Sequence, residues 1–282
     1  MSTTAPSPTM SAVRALPFDA ARARGRMLAN EAGKGLRLLW TYRATLIPSI
    51  FSMVVMYLAF QYFVGGGGIV DGLVADTAPA MFAFVVVYLA TLRLVAGILE
   101  ERNAGTLEQI HLSPLPAWQL ALGRLASVLT EALLVAVAVT TIVLVAVGVD
   151  YPLGPAALLP LGLTVVGAAG FALLIGAASF TYPGIGALVH IIQMAVMMVN
   201  GAVTPPELFP RGLEVVAKLA PTTLGAGATR KMLVDGDGLD DVWTSGTLGW
   251  LLLHTAVLVV AGWAAYQWQV RRALRDGRLG PA

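Results

Sequence analysis

Seven side chains stand out, by type or by spacing, inside the long apolar runs of this sequence: Arg93, Glu131, His190, Gln193, Met197, Asn200 and His254. Arg93 lies about two turns before the end of its run and Glu131 about three turns into the next, so the two reach similar depth on neighbouring helices. An ion pair is the economical reading, because an unpaired charge at the centre of a membrane helix costs about 2.5–3.5 kcal/mol. The alternatives are a protonated Glu131 and an Arg93 that snorkels towards Glu100, one heptad away on the same face. A structural brace fits better than a proton relay. His190, Gln193, Met197 and Asn200 fall on one narrow helical stripe, which must turn away from lipid. Such a stripe either lines a pathway or bonds to a second subunit. Met194, Met197 and Met198 would give an adaptable apolar surface, although methionine in such a helix is more often plain packing. His254 stands alone and reads as a satisfied core histidine. His190 and His254 have no third ligand at helical spacing, so no metal site is expected.

Catalytic chemistry finds little support. The chain has no cysteine, which removes thiolate nucleophiles, thiolate metal sites and disulfides together. The polar candidates are scattered over four runs without a short-range catalytic motif. An intramembrane lipid-modifying enzyme is therefore a secondary alternative. A secondary transporter is another, but it predicts inverted repeats that are not visible. No catalytic, cofactor-binding or metal-binding residue is expected.

The elements that carry these residues follow from hydropathy. The 282 residues are 57% hydrophobic and 12% charged, with a mean hydropathy of +0.77; soluble domains carry charge on about a quarter of their residues. Runs near the roughly 20 residues needed to span a bilayer occur at 44–64, 79–99, 120–149, 156–180, 183–203 and 247–270. The expected fold is an all-α integral membrane domain of six transmembrane helices. Tetraglycine Gly65–Gly68 and a loop carrying Asp71 and Asp76 should follow the first run. Thr181 and Tyr182 leave only a tight hairpin between the fourth and fifth, with Pro183 at a helix start.

Seven basic residues between Arg14 and Arg43 precede the first run, and Arg271, Arg272, Arg275 and Arg278 follow the last. The excess of basic residues on the cytoplasmic side puts both termini there, with Trp40, Trp118 and Trp268 at the inner interface and Trp243 and Trp250 at the outer one. Residues 1–43 read as a cytoplasmic tail, 44–270 as the membrane domain and 271–282 as a basic cytoplasmic tail. The first 13 residues are rich in Ser, Thr and Pro, as in disordered segments, and nothing before Arg43 resembles a cleavable signal. Phe18–Trp40 mixes arginines with Met27, Leu28 and Leu36, so it is either an amphipathic helix on the inner face or a solvated basic tail. The small net charge of +2 and its terminal placement favour anchoring at a membrane over binding nucleic acid.

Between the second and third runs lies Glu100-Glu101-Arg102-Asn103-Ala104-Gly105-Thr106-Leu107-Glu108-Gln109-Ile110-His111-Leu112-Ser113-Pro114-Leu115-Pro116. Thr106 and Gln109 read as a capping box and Pro114 as a stop, bounding a helix of about two turns. Gly105 supplies the sharp entry. Leu107, Ile110 and Leu115 can present an apolar face, with Glu108 as a charge, to a groove on a soluble partner; on physics alone an ordinary capped connector is the better reading.

This stretch resembles the loop of the ABC-2 type permeases, in which a glutamate-rich lead-in precedes Gly-Thr-Leu-Glu and then Ser/Thr-Pro. Glu100, Glu101, Gly105, Thr106, Leu107, Glu108, Ser113 and Pro114 follow that order. Pro205, Pro206, Pro210, Leu213, Leu219, Pro221, Thr222 and Arg230 resemble the family's outer helices before the last span, except that Ala220 stands where the family usually has Asn. The resemblance implies a bacterial plasma-membrane exporter of drug-like, lipid-like or other amphiphilic substrates, in a branch that includes drug and antibiotic resistance. It implies a second permease subunit, homo- or heterodimeric, and cytoplasmic ATPase subunits. It also implies that Glu100, Glu101, Gly105, Thr106, Leu107, Glu108, Ile110 and Pro114 form a coupling helix to those ATPases. The chain has no G-x-x-x-x-G-K-[ST] loop, so ATP and Mg are expected on the partner. The topology has a direct check: epitope tags on either terminus should be unreachable by antibody in intact cells, and surface labelling of either would overturn it.

Overall fold

The computed structural model describes residues 43–106, 117–151, 154–182 and 184–276, with Gly33 besides. The expected amphipathic helix at Phe18–Trp40 lies outside the described residues, as do Pro183, Gln109 and the coupling residues Leu107, Glu108, Ile110 and Pro114. The helices are α1 (Arg43–Val64), α2 (Asp71–Asn103), α3 (Ala117–Val147), α4 (Leu158–Ser179), α5 (Ile185–Val199), α6 (Arg211–Leu219), α7 (Thr223–Leu233), α8 (Leu239–Thr244) and α9 (Thr247–Arg275). Single 3-10 turns at Pro155–Ala157 and Pro206–Leu208 lead into α4 and α6. No strand occurs among the described residues.

Five of these helices, α1, α2, α3, α4 and α9, are long and apolar enough to cross a membrane. The expected fifth run, 183–203, is shorter as a helix than its hydropathy suggested. α5 has 15 residues, about 22 Å at 1.5 Å per residue, against a hydrocarbon core of about 30 Å. Its far end is stopped by Asn200 and by Gly201 at φ +95°, a left-handed conformation that glycine adopts without a Cβ clash. The expected residues 200–203 therefore belong to a turn.

The second helix is corrected in the other direction. The segment with Asp71 and Asp76, expected as loop, is the first part of a 33-residue α2 that runs on through Pro79. Asp71 sits in the first turn, where a carboxylate is favoured by the helix dipole. Pro79 has no N–H to offer the carbonyl of Ala75 four residues back. That carbonyl accepts instead from the Tyr151 hydroxyl at 2.5 Å. Burial pushes the Tyr151 phenol well above its ordinary pKa, so it remains a donor. A polar residue from the connection between α3 and α4 thus repairs the hydrogen bond that proline removes, and helix continues where a loop was expected.

α2 occupies the centre of the bundle. Val85, Val86 and Val87 are all fully buried, and three successive buried positions mean a helix covered on every side. α3 and α4 pack on it most extensively, with α5 and α7 closing the rest. α4 in turn packs parallel to α9, the most extensive helix pairing among the described residues. Glycine makes that possible. A Cβ on Gly262 would lie 2.0 Å from the Gly170 carbonyl oxygen, and one on Gly170 would lie 2.6 Å from the backbone of Leu258 and Val259. In lipid, where apolar surface gains little by leaving the solvent, such backbone approach supplies the packing that holds helices together. On its other side α4 presents Gly176 to Leu94 of α2, and Thr164 meets Gly225 of α7.

α1 is the least embedded long helix, exposing Ile47, Phe51, Val55 and Phe63. Trp118 and Trp268 are exposed towards one end of the bundle, Trp243 and Trp250 towards the other. We call the end bearing Glu101 and Arg124 basal, and the end bearing Asp76 and Arg230 distal.

Gly262→Ala should cost about 2–3 kcal/mol, within the range for overpacking a tight contact, and lower the melting temperature of the detergent-solubilised protein. Gly162→Ala, on α4 where an added methyl meets open space, should be neutral or stabilising by about 0.5–1 kcal/mol. Equal melting of the two variants would rule out the glycine contact as the link between α4 and α9.

Candidate functional site

The basal end is held by charge and aromatic contacts. Glu101, in the last turn of α2, is ion-paired with Arg124, in the second turn of α3. Tyr266 of α9 lies beside the Arg124 guanidinium and meets Phe180 edge-on at 5.3 Å between ring centroids. The Thr181 hydroxyl donates to Gln269 of α9 at 2.8 Å. One cluster thereby ties the base of α2 and α3 to the ends of α4 and α9. The chain then turns at Gly105, whose φ is +68°, as expected for a sharp entry into the following segment. The Thr106 hydroxyl donates back to the Glu101 carbonyl at 3.2 Å, which anchors the turn to α2.

Above this cluster a groove of about 690 Å³ opens between α1, α2 and α3, where α1 leans on α3 more than on α2. Arg93 and Glu131 meet there. Nε and Nη2 of Arg93 both bond to Oε1 of Glu131, at 2.8 and 2.7 Å. Arg93 remains 52% exposed while Glu131 is 15% exposed, so the acid is set in the wall and the arginine lies across the opening. Glu100 also lines this groove.

At the distal end a polar knot forms around the end of α5. Asn200 donates from Nδ2 to the Ala80 carbonyl of α2 at 3.1 Å and to the Thr222 hydroxyl at 3.3 Å. Its Oδ1 accepts from the Ala202 amide at 3.0 Å, and Gln61 of α1 donates to the Ala202 carbonyl at 3.1 Å. Asn200 thus joins α5, α2 and the start of α7. Beside it lies a cavity of about 860 Å³, with Asp76 and Ala80 of α2 on one wall and Trp250, His254 and Val257 of α9 on another. Arg230 forks onto both carboxylate oxygens of Glu207, at 3.2 and 3.0 Å. Lys218 and Glu214 pair along α6. Acidic and basic groups are equally numerous around this cavity.

Of the expected polar stripe, Gln193, Met197 and Asn200 turn into the protein and His190 does not. His190 is exposed, Met197 belongs to the core, and Asn200 is in the distal knot. Gln193 is buried with neither amide atom hydrogen-bonded among the described residues, which costs about 1–3 kcal/mol. His254, expected as a satisfied core histidine, is half-buried on the cavity wall, with Nε2 at 3.3 Å from the Leu219 carbonyl. The Glu101–Arg124 bond, the Gln61 contact and the Glu207–Arg230 fork were not anticipated. Arg124 did carry a signal, an arginine seven residues before Glu131 at the foot of an apolar run. Gln61 carried none beyond its polarity, because its partner is a backbone carbonyl far along the chain.

An all-helical bundle, among the described residues, with five helices of bilayer-crossing length defines a multi-pass membrane protein. The ABC-2 type transporter family profile matches residues 32–234, and the chain belongs to that family. Two relatives, each named "Probable multidrug ABC transporter permease YbhR", come from Escherichia coli strain K12 and from Escherichia coli O157:H7. Each is 31% identical over 179 residues, covering 61% of this chain and 47% of the relative. The chain spans about half the length of the curated relatives it matches.

The ion pair in the groove gives a measurable coupling. Arg93→Gln and Glu131→Gln should each lower stability by about 1–2 kcal/mol, because each leaves a charge without its partner. The double variant should lose less than the sum by at least about 0.5 kcal/mol. Strictly additive melting-temperature losses would exclude a working pair.

Proposed function

We propose that the chain is the permease subunit of an ATP-driven exporter in a bacterial plasma membrane. A pair of permease subunits, identical or not, works with separate cytoplasmic ATPases that hold ATP and Mg, and moves a drug-like, lipid-like or other amphiphilic substrate outward. In this reading the basal end faces the cytoplasm, both termini lie there, and α5 with its flanking turns makes the sixth crossing. Family membership supports the class, and the multidrug permease name of the relatives supports the substrate range.

The observation that carries the mechanism is the continuity of α2. Its 33 residues, Asp71–Asn103, span about 50 Å and include both Asp76 on the wall of the distal cavity and Glu101 at the foot of the loop. A force applied to the loop at Gly105–Pro114 therefore acts on a single buried rod. The ion pair with Arg124 makes α3 move with it, and the Asn200 bond to Ala80 carries displacement to α5 and the distal knot. Glu100, Glu101, Gly105, Thr106, Leu107, Glu108, Ile110 and Pro114 are the coupling residues in this proposal. Arg93 and Glu131 brace the rod against α3. Gln193, Met197 and Asn200 hold α5 to the moving core, and His190 and His254 are candidates for the substrate route at its two ends.

Glu108→Arg reverses the charge that this proposal offers to the ATPase, at a position outside the described residues. It should reduce ATPase co-purification and substrate-stimulated hydrolysis about tenfold, equivalent to about 1.4 kcal/mol, while membrane expression is unchanged. Co-purification and transport at the level of the unaltered chain would remove the coupling assignment.

A further inference from the structure

The groove between α1, α2 and α3 has a charge balance that the brace alone does not require. Its walls are mainly apolar, including Leu46, Ile50 and Met53 of α1, Leu89 of α2, and Val128 and Val135 of α3. Into it project one cation, Arg93, and two carboxylates, Glu100 and Glu131. Arg93 spends both Nε and Nη2 on a single oxygen of Glu131, which neutralises that pair and leaves Glu131 Oε2 outside it. Glu100 is exposed and has no ion-pair partner among the described residues. Among the described residues the groove therefore holds one uncompensated negative charge, set beside apolar walls.

We propose that this groove is a binding site for a lipophilic organic cation, with its positive centre near Glu100 and the free oxygen of Glu131 and its hydrocarbon on the α1 and α3 walls. The volume of about 690 Å³ lies in the range of small-molecule sites. Tyr88 lines the end of the groove away from Glu100 and offers a ring to a cation or an aromatic substituent. An organic anion would have to displace Glu131 from Arg93 and pass Glu100 at the mouth. A small metal cation would find too few oxygens to replace its water. The assignment rests on the export reading above only for the fate of the bound cation, not for its binding.

Tetraphenylphosphonium and tetraphenylborate have nearly the same shape and opposite charge, so they isolate the sign of the site. Equilibrium binding to the full-length chain in nanodiscs of zwitterionic lipid, with empty discs subtracted, should show saturable uptake of the phosphonium and none of the borate. Glu100→Gln, at an exposed position that the fold does not need, should weaken phosphonium binding about threefold to tenfold at an unchanged melting temperature. Glu100→Lys should abolish it. No saturable phosphonium binding, equal binding of the borate, or indifference to Glu100→Gln would each overturn the site. The ATPase is absent from this measurement, so a coupling role of Glu100 cannot imitate the result. Saturable binding without ATP-driven uptake by the reconstituted complex would refute export of such cations and leave the site standing. Uptake that ignores Glu100→Gln would do the reverse.

Discussion

The contact between Gly170 and Gly262 is the constraint on which the bundle depends. A membrane helix gains little by exchanging lipid for another apolar surface, so association has to come from shape and from polar bonds. Two glycines let the backbones of α4 and α9 touch where any side chain would intrude to 2.0–2.6 Å. With α9 fixed, α4 offers its remaining small residues elsewhere: Gly176 receives Leu94 of α2, and Thr164 reaches Gly225 of α7. The central helix is therefore seated by its neighbour's lack of side chains. This is why α2 can be covered on every side at Val85–Val87 while α1, which has no such partner, remains largely open.

Polar bonds do what glycine does not. They occur where the chain leaves helix or where a helix loses an internal bond: Tyr151 at the carbonyl freed by Pro79, Asn200 and Gln61 at the turn after α5, and Thr181 and Gln269 at the foot of α4 and α9. An unmet backbone group in a bilayer has no water to turn to, and a side chain meets the freed carbonyl at Pro79 and at the turn after α5. Gln193 departs from this pattern. It is buried with neither amide atom bonded among the described residues, on the short helix α5, whose nearby Asn200 bonds carry the attachment to α2.

Hydropathy made most of the fold legible because bilayer thickness imposes length directly on sequence. Arg93 and Glu131 were legible for the same reason, since charges are rare enough in such runs that two at one depth nearly specify each other. The misjudged boundaries have local causes. Asp71 and Asp76 read as loop, and Pro79 as the start of the next run, because acids and proline end helices on average, whereas here a dipole-compatible aspartate and a tyrosine from another connection let helix extend through both. α5 was overestimated because Asn200 and Gly201 sit within an apolar context and stop a helix by geometry that hydropathy does not see. The Asn200 knot was illegible because it depends on which helices become neighbours of α5, and its partners, the Ala80 carbonyl and Thr222, lie far along the chain.

The two cavities share α2 but not their electrostatics. The basal groove sets one cation against two carboxylates, while the distal cavity balances its acids with Lys218, Arg230 and Lys231 and commits Glu207 to Arg230. A cation bound below would leave a negative site for a neutral one on moving outward, so its affinity would fall along the route without any change in the cation itself. A hydrocarbon portion finds apolar wall at both ends, at Leu46 and Ile50 below and at Trp250, Leu253 and Val257 above. Because binding affects a cycle only through the difference between states, an inside site that is stronger by one charge would favour loading from one side and release to the other. The work of the cycle would then lie in moving α2, which lines both cavities and meets the foot of the loop.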